Sequence, residues 1–391
     1  MSISLEQIRK IPIATPSLGD EEWQAVREPI LSGWLTQGPK VAEFEKRFSE
    51  RHQVSHSLAV TSCTTGLHLA LMAMGIGPGD EVIVPSFTWI ATANAVLYCG
   101  ATPILCDVDE KTFNIKVEDI PLKTTKRTKA IIPVHLFGLC ANIDAIREVI
   151  PNHVKILEDA ACAAAASYKN KPAGSLGDMA AFSFHPRKSI TTGEGGMVTT
   201  NNADYARLAE IMRNHGSEIP EEVRHNSSKP YLLPDFKMMG FNYRMTDLQA
   251  AIGIVQLKKI DQFIQERQKW ATYYAENLKE ISWLRPQEIP DYCTQHAWQA
   301  YVCYVDPSTS PLPRNDIMDI LQQKGIATRP GTHAIHMLSF YKDTYGIHPD
   351  DFPGAKNCDQ NTMAIPLHNR MTKEDFDYII QALKSFEPCV V

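Results

Sequence analysis

The chain reads FSFHPRKSITTGEGG from Phe182 to Gly196, an apolar segment followed by a lysine and a turn rich in threonine and glycine. A short apolar run bounded by turn residues is typical of a buried strand, and a second such run begins at Gly196. Lys188 therefore follows the end of a strand closely. The pattern by itself fits either a solvated lysine in a turn or a lysine with a chemical role.

The stretch on either side of this segment alternates between short apolar runs and segments with helical spacing. The predicted strands are the runs SLAV, EVIVP, TPILC, KAIIPV, KILED, MAAFSF and GGMVTT between residues 57 and 200. Predicted helices lie between several of them, at residues 67–74, 88–98 and 142–149. Alternation of this kind indicates βαβ units, so the sequence predicts an α/β domain with a mostly parallel mixed sheet flanked by helices.

The second half of the chain predicts a long helix and a smaller domain. Thr246 and Asp247 can cap a helix whose apolar residues keep helical spacing towards Leu278. A strand near 300–305 and helices near 315–324 and 373–385 then indicate a small α/β domain. We expect a large domain over residues 1–245, a linking helix over 246–280 and a C-terminal domain over 281–391. The polar stretch 214–235 is predicted to be a long loop that could act as a lid.

Composition excludes several classes of protein. The 391 residues include 44% hydrophobic and 21% charged residues, which is typical of a folded globular protein. The net charge of −6 disfavours binding to nucleic acids or anionic membranes. The nine cysteines are scattered and form no Cys-x-x-Cys pair, a pattern typical of reduced thiols. The first residues are polar where a secretory signal would be apolar, so we expect a cytoplasmic protein.

Two further segments carry candidate binding groups. Glu158 and Asp159 end a predicted strand, at the edge where open parallel sheets bind ligands, although Asp159 could equally cap a helix. The segment TSCTTG, residues 61–66, lies between a strand and a helix and could point backbone N–H groups at a phosphate. A helix cap alone would also explain it. The sequence contains neither G-x-G-x-x-G after a strand nor a P-loop, so dinucleotide and P-loop sites lack support.

Taken together, these segments resemble the nucleotide-sugar aminotransferases (DegT/StrS-like) among the fold type I enzymes that use pyridoxal 5′-phosphate (PLP). The resemblance extends from Pro12 to the C-terminus. The motifs that carry it, in order, are SGWLTQGP (32–39), GDEVIVPSFT (79–88), GATP (100–103), VHLFG (134–138), EDAA (158–161), SFHPxK (183–188), GEGG (193–196) and GFNYRM (240–245).

The resemblance implies roles for five residues. Lys188 would hold PLP as a Schiff base and, once displaced by substrate, move the proton between the amine-bearing carbon and the cofactor. Asp159 would pair with the pyridinium nitrogen and keep it protonated, so that the ring accepts electrons. The backbone N–H groups of Cys63 and Thr64, with the hydroxyl of Ser183, would hold the cofactor phosphate.

The resemblance also implies residues at the rim of the site. Trp89 matches an aromatic position that stacks on the cofactor ring. Asn242 matches an asparagine that reaches the phosphate from the neighbouring subunit, so a homodimer with shared active sites is expected. Arg329 and His333 lie where family members contact the sugar, and His185 lies beside the lysine. These three are candidate substrate residues, although His185 could equally be a hydrogen-bonded structural histidine.

Several positions depart from the family pattern. Cys162 stands where glutamine or histidine usually contacts the ring oxygen of the cofactor, and a thiol is a weak donor. Ser189 stands where asparagine is common, and Arg187 where a small residue often lies. His333 and His336 could be interpreted as a metal pair, but their segment brings no partner carboxylate, and no metal is expected.

The resemblance implies an aminotransferase that uses L-glutamate to aminate a nucleotide-linked keto-deoxysugar, most commonly a 4-keto-6-deoxy sugar. The product would be an amino sugar for a surface polysaccharide such as lipopolysaccharide. Amination at C3 is an alternative. A regulator or sensor that binds PLP without turnover is a second alternative, while sugar dehydratases of the family carry histidine in place of Lys188. An NAD-dependent sugar-modifying enzyme would need the glycine fingerprint that this sequence lacks.

Overall fold

The apolar runs form strands, and a computed structural model describes residues 9–218, 231 and 235–386. The strands are β1 (His56–Val60), β2 (Glu81–Pro85), β3 (Phe87–Thr88), β4 (Thr102–Cys106), β5 (Thr128–Ile131), β6 (Lys155–Asp159), β7 (Ser167–Tyr168), β8 (Lys171–Pro172), β9 (Met179–Ser183), β10 (Gly196–Thr200), β11 (Leu284–Pro286), β12 (Cys293–Gln295), β13 (Tyr301–Val305), β14 (Arg329–Pro330), β15 (His333–Ala334) and β16 (Thr362–Ile365).

The helices lie between and around these strands. They are α1 (Asp20–Ala25), α2 (Arg27–Ser32), α3 (Pro39–His52), α4 (Cys63–Ala73), α5 (Ala91–Tyr98), α6 (Ile120–Lys123), α7 (Ile143–Val149), α8 (Ala203–Arg213), α9 (Asp247–Leu278), α10 (Arg314–Gln323), α11 (Ser339–Tyr345), α12 (Pro353–Asn361) and α13 (Lys373–Lys384). No helix of the described ranges is long and apolar enough to cross a membrane.

Seven strands form the central sheet in the order β1-β10-β9-β6-β5-β2-β4. β10 runs antiparallel to both of its neighbours, and the other pairs of neighbouring strands are parallel. Six strands therefore run in one direction and end at the same edge of the sheet. The predicted mostly parallel mixed sheet is confirmed, and its carboxyl edge is the place where such folds bind ligands.

Alternate residues of each strand point to opposite sides of the sheet, so apolar side chains lie on both faces. Helices cover both of these faces. On β6, Leu157 packs in one core with Leu67 of α4, whereas Ile156 packs in a second core with Phe44 of α3. All five residues of β9 are buried, as expected for a strand covered on both faces. The alternation matters for the site because it sends neighbouring side chains of one strand to different sides of the sheet.

The long helix and the C-terminal region follow the sequence prediction closely. α9 has 32 residues, with Thr246 as its N-cap in a capping box with Gln249. A third hydrophobic core, which includes Trp283 and Phe386, lies with the four-stranded sheet β11-β13-β16-β14. The division of the chain at residues 245 and 280 stays a prediction. Most of the proposed lid, residues 219–230 and 232–234, lies outside the described residues.

Two predicted helix starts are wrong. The helix expected over residues 88–98 begins at Ala91, because Thr88 belongs to β3 and pairs with His333 of β15. Conversely, the helix expected from Leu67 already begins at Cys63, where the side chain of Ser62 caps it. Both differences concern the carboxyl edge of the sheet, where chain segments that are distant in sequence meet.

Candidate active site

Three strands of the central sheet lead to the residues proposed to bind the cofactor: β6 and β9 are neighbours, and β10 separates β9 from β1. β6 ends at Asp159 and β9 ends at Ser183, while β1 leads into α4, which begins at Cys63. The sulfur of Cys63 lies 4.0 Å from Oδ1 of Asp159 and 3.5 Å from the carbonyl oxygen of Ala181 on β9. The strand order therefore brings together groups separated by about 120 residues of sequence.

Asp159 is a buried carboxylate with only part of its hydrogen-bonding capacity used. Oδ2 accepts a hydrogen bond from the hydroxyl of Thr92 at 2.8 Å, and Oδ1 accepts one from the N–H of Ala161 at 3.1 Å. Burial raises the pKa of Asp159 above its ordinary value, because an isolated anion is poorly solvated there. A cation placed against it would favour the ionised form. The protonated ring nitrogen of PLP is such a cation, so this residue fits the cofactor.

Glu158, the neighbouring carboxylate, points to the other side of the sheet and is fully bonded. Oε2 accepts hydrogen bonds from Nε2 of His135 and the N–H of Gly174, and Oε1 accepts from the N–H groups of Leu176 and Gly177, all at 2.7–2.8 Å. Burial alone would raise its pKa, but these donors hold the pKa below its ordinary value. Glu158 is therefore a structural anion.

The first turn of α4 packs closely against β10 and presents N–H groups that are unbonded within the described part of the chain. Gly196 pairs with Val60 and Ser183 in the sheet, and a Cβ at Gly196 would come within 2.7 Å of the backbone nitrogen of Cys63. The N–H groups of Cys63 and Thr64 make no hydrogen bond to protein atoms of the described residues. Free N–H groups at a helix N-terminus bind anions well, so this end of the site fits the cofactor phosphate.

Lys188 enters the site from a turn that is fixed on several sides. Its N–H donates to the carbonyl of His185 at 2.8 Å, and the side-chain amide of Gln299 donates to the carbonyl of Arg187 at 2.9 Å. Nζ of Lys188 lies 3.2 Å from Sγ of Cys162, in the turn after β6. The lysine amine therefore lies near the carboxyl end of β6, the strand that ends at Asp159.

His185 has the structural hydrogen bond that the sequence left open. Nδ1 accepts the N–H of Arg187 at 3.2 Å, so a neutral ring carries its proton on Nε2. Burial lowers the pKa of His185; the charge of Glu194 raises it, while Lys188 and Arg187 lower it further. A contact with substrate stays a prediction for this residue.

The structure brings two of the rim residues together. The rings of Trp89 and His333 lie 5.6 Å apart, beside the pairing of β3 with β15, and Trp89 is 61% exposed. Arg329 is also exposed and lies on β14, against β16. His336, by contrast, is buried, with Nδ1 2.6 Å from the hydroxyl of Ser86 and Nε2 3.0 Å from the carbonyl of Pro349. It does not share a site with His333.

Asn242 lies in a segment that pairs with the end of β1 and contacts α4. Its segment is bridged to Asn214, and the carbonyl of Tyr243 accepts the N–H of Thr61 at 3.0 Å. The hydroxyl of Tyr243 contacts Nδ1 of His68 on α4 at 3.0 Å. The segment is therefore anchored beside the phosphate end of the site, and Asn242 itself is exposed. Its contact with a neighbouring subunit stays a prediction.

Sequence reasoning missed two contacts of the site. Thr92, a buried polar residue on the apolar helix α5, holds Asp159 and also lies 3.3 Å from the hydroxyl of Thr88. A threonine on the buried side of an apolar helix was a usable signal. Gln299 reaches the lysine turn from 112 residues away, and no local pattern predicts such a contact.

The fold and these groups define a class of enzyme. A lysine amine and a buried carboxylate at the carboxyl edge of a mostly parallel sheet, with a phosphate site at a helix N-terminus, suit a PLP enzyme of fold type I. A lysine and a carboxylate placed in this way would serve opposite ends of the cofactor ring.

Comparison with known proteins points to one family within this class of PLP enzymes. The sequence model of the DegT/DnrJ/EryC1/StrS aminotransferase family matches residues 16–384. The spore coat polysaccharide biosynthesis protein SpsC of Bacillus subtilis is 38% identical over 376 residues, 96% of each chain. GDP-perosamine synthase of Caulobacter vibrioides is 39% identical over 381 residues, 97% of this chain and 99% of the relative.

A solved structure agrees with these relatives. The aminotransferase Spr1654 of Streptococcus pneumoniae, in its PMP form, superposes with a TM-score of 0.90 at 29% identity, covering 96% of this chain and 98% of that one. Its PLP form matches with a TM-score of 0.89. The chain belongs to the DegT/DnrJ/EryC1/StrS aminotransferase family, and its cofactor is PLP. The predicted family, fold class, cofactor and aminotransferase activity are confirmed.

Proposed function

We propose that this protein transfers an amino group from L-glutamate to the keto group of a nucleotide-linked deoxysugar. The observation that carries the transfer step is the convergence of Lys188 and Asp159 on the end of β6, with the phosphate site of α4 beside them. The nucleotide-sugar substrate is supported by GDP-perosamine synthase, which matches along 99% of its length. The relative SpsC supports a role in making a surface polysaccharide.

The side chains of this site divide the chemistry between them. Bound PLP supplies an aldehyde that accepts amines and a ring that accepts electrons. Nζ of Lys188 binds the cofactor and, once displaced by the substrate amine, carries the proton to and from the reacting carbon. The buried carboxylate of Asp159 has no cation directly against it among the described residues. It therefore pairs with the ring nitrogen and keeps that nitrogen protonated. Ser183 and the first turn of α4 bind the phosphate.

The remaining assignments concern the sugar and the rim. The proposed acceptor is a 4-keto-6-deoxy sugar, and amination at C3 is the alternative. Trp89 would stack on the cofactor ring, and its neighbour His333, with Arg329 and His185, would contact the sugar nucleotide. The exposed pair of Trp89 and His333 supports an open rim that admits a large substrate.

Assembly and location complete the proposal. We infer a homodimer in which Asn242 reaches the phosphate of the partner's site. A cytoplasmic location is supported by the free thiols of eight cysteines in the described residues. For a test of the shared site, a Lys188→Ala chain is mixed with an Asn242→Ala chain after subunit exchange has been demonstrated. Recovery of activity above the sum of the two variants is expected, and its absence would place Asn242 in its own subunit's site or outside any site.

A screen of nucleotide ketosugars tests the reaction itself. Purified enzyme is incubated with L-glutamate and each ketosugar, and products are identified by mass and by the position of the new amine in NMR spectra. We expect 2-oxoglutarate and a 4-amino sugar in equal amounts. An enzyme that binds PLP but converts no amino donor would instead support the sensor, and a 3-amino product would support the alternative acceptor.

A further inference from the structure

The thiol of Cys162 lies directly against the amine of Lys188, and the proposed reaction gives this contact no role. The distance between Sγ and Nζ is 3.2 Å. Cys162 is half-buried and follows Asp159 by three residues. A protonated lysine amine has three N–H donors and no acceptor, so the sulfur accepts a hydrogen bond from it.

The position of this sulfur is fixed by the fold. The N–H of Ala160 donates to the carbonyl of Ala181 on β9 at 2.9 Å, and the N–H of Ala163 donates to the carbonyl of Ala160 at 2.9 Å. β9 is also the strand that leads to Lys188. Both partners of the contact are therefore anchored to the same strand, and the approach of thiol and amine does not depend on a mobile segment.

We propose that Cys162 is a positioning residue for Lys188, whose sulfur holds the protonated amine at the edge where the cofactor aldehyde binds. This inference rests on the proposed function, since it takes Lys188 as the residue that binds PLP. It differs from the contact that the family makes at this position, because the partner is the lysine amine. It also predicts a measurable consequence for the unloaded enzyme.

The charges around the amine indicate the direction of that consequence. Groups that face Lys188 come from α4, from the end of β6 and the turn after it, and from its own turn; they are Cys63, Asp159, Cys162 and His185. Burial alone would lower the pKa of Lys188, but Cys162 first, then Cys63 and Asp159, raise it above its ordinary value. Replacing Cys162 removes the group that contacts Nζ but leaves the amine buried, so the pKa of Lys188 should fall.

Capture of PLP reports on this amine directly. Only the neutral amine attacks the aldehyde; a C=N bond then replaces the C=O bond, and water leaves with the carbonyl oxygen. An amine held in its protonated form by Cys162 is captured slowly at neutral pH. Without the sulfur, the amine loses its proton at lower pH, and capture at neutral pH becomes faster.

The experiment uses full-length enzyme freed of cofactor, in four forms: wild type, Cys162→Ala, Cys162→Ser and Cys293→Ala. Cys293 is a second half-buried thiol, on β12, and serves as the matched control. The rate of PLP capture is followed by absorbance across the pH range. Each product is reduced with borohydride and mapped by mass spectrometry.

We expect the pH midpoint of capture to shift downward in Cys162→Ala, with severalfold faster capture at neutral pH, and to stay unchanged in Cys293→Ala. Cys162→Ser keeps an acceptor and is expected to lie nearer to wild type; it also serves as the test variant if Cys162→Ala does not fold. A midpoint unchanged or raised by loss of the sulfur overturns the inference. If wild type carries the cofactor on a lysine other than Lys188, the proposed function fails as well.

Discussion

Glu158 and Asp159 are neighbours in the chain, yet they face opposite sides of the central sheet and have opposite environments. Glu158 accepts four hydrogen bonds, which hold its pKa below the ordinary value. Asp159 accepts hydrogen bonds from Thr92 and Ala161, and burial raises its pKa. Burial alone therefore does not distinguish the two carboxylates; incomplete bonding toward a ligand edge does, and it is the reason for proposing Asp159 as the functional one.

The largest effect is expected from replacing Lys188, the proposed partner of Asp159 in the active site. In the proposed mechanism, Lys188→Ala removes the cofactor's covalent attachment and a proton carrier, and the second role alone would be worth roughly 10²–10⁴-fold in rate. Turnover and the absorbance of covalently bound cofactor should both be lost, while the free energy of unfolding of the cofactor-free protein changes little. Lys258→Ala, at an exposed position of α9, is the matched control. Near-normal turnover of Lys188→Ala would remove the lysine from the mechanism.

On the side of Glu158, the expected effect is on stability. Glu158→Gln keeps one acceptor oxygen but turns an NH₂ group toward two of the four donors. Since hydrogen bonds to charged groups contribute about 1.5–3 kcal/mol each, the free energy of unfolding should fall by about 3 kcal/mol or more. Urea unfolding followed by fluorescence measures this, with the exposed Glu148→Gln as control. An unchanged unfolding midpoint would show that the network around His135 is dispensable.

A smaller effect is expected from the partner of Asp159. Thr92→Val keeps the shape of the side chain but removes the hydroxyl that donates to Oδ2 at 2.8 Å. Losing one hydrogen bond to a charged group costs about 1.5 kcal/mol. We therefore expect the glutamate half-reaction to be roughly tenfold slower than in wild type. Stopped-flow absorbance gives this rate. A variant as fast as wild type would mean that Asp159 is oriented without Thr92.

The smallest effect concerns the cofactor-free protein and depends on pH. Because the folded pKa of Asp159 is raised, the folded state binds more protons than the unfolded state between the two pKa values, and stability falls as pH rises through that window. Asp159→Asn removes this cost. The cofactor-free variant should melt at a higher temperature than wild type at neutral pH, and the difference should vanish at pH values below the ordinary pKa of aspartate. A variant that melts lower at neutral pH would show that Asp159 is a stabilising anion.

The sequence predicted the elements that depend on local pattern. KILED placed Asp159 at a strand end, and the alternation of apolar runs predicted the parallel sheet around it. The pairing of Thr88 with His333 and the contact of Gln299 with the lysine turn could not be predicted in this way. Both join residues more than a hundred positions apart, and their geometry depends on how the C-terminal region packs against the sheet. The separation of Glu158 from Asp159 was implicit in strand alternation, but their unequal bonding required the structure.

The rate of the glutamate half-reaction in Asp159→Asn and Glu158→Gln, measured on folded, cofactor-loaded enzyme, tests the central claim most directly. Both substitutions replace a carboxylate with an amide of the same length, and they are one residue apart. We predict that Asp159→Asn slows the half-reaction by about 10²-fold or more, because a neutral amide no longer keeps the ring nitrogen protonated. Glu158→Gln should stay within severalfold of wild type once corrected for the folded fraction. Equal rates in Asp159→Asn and wild type, with slow conversion in Glu158→Gln, would assign the cofactor to the other side of the sheet and contradict the account.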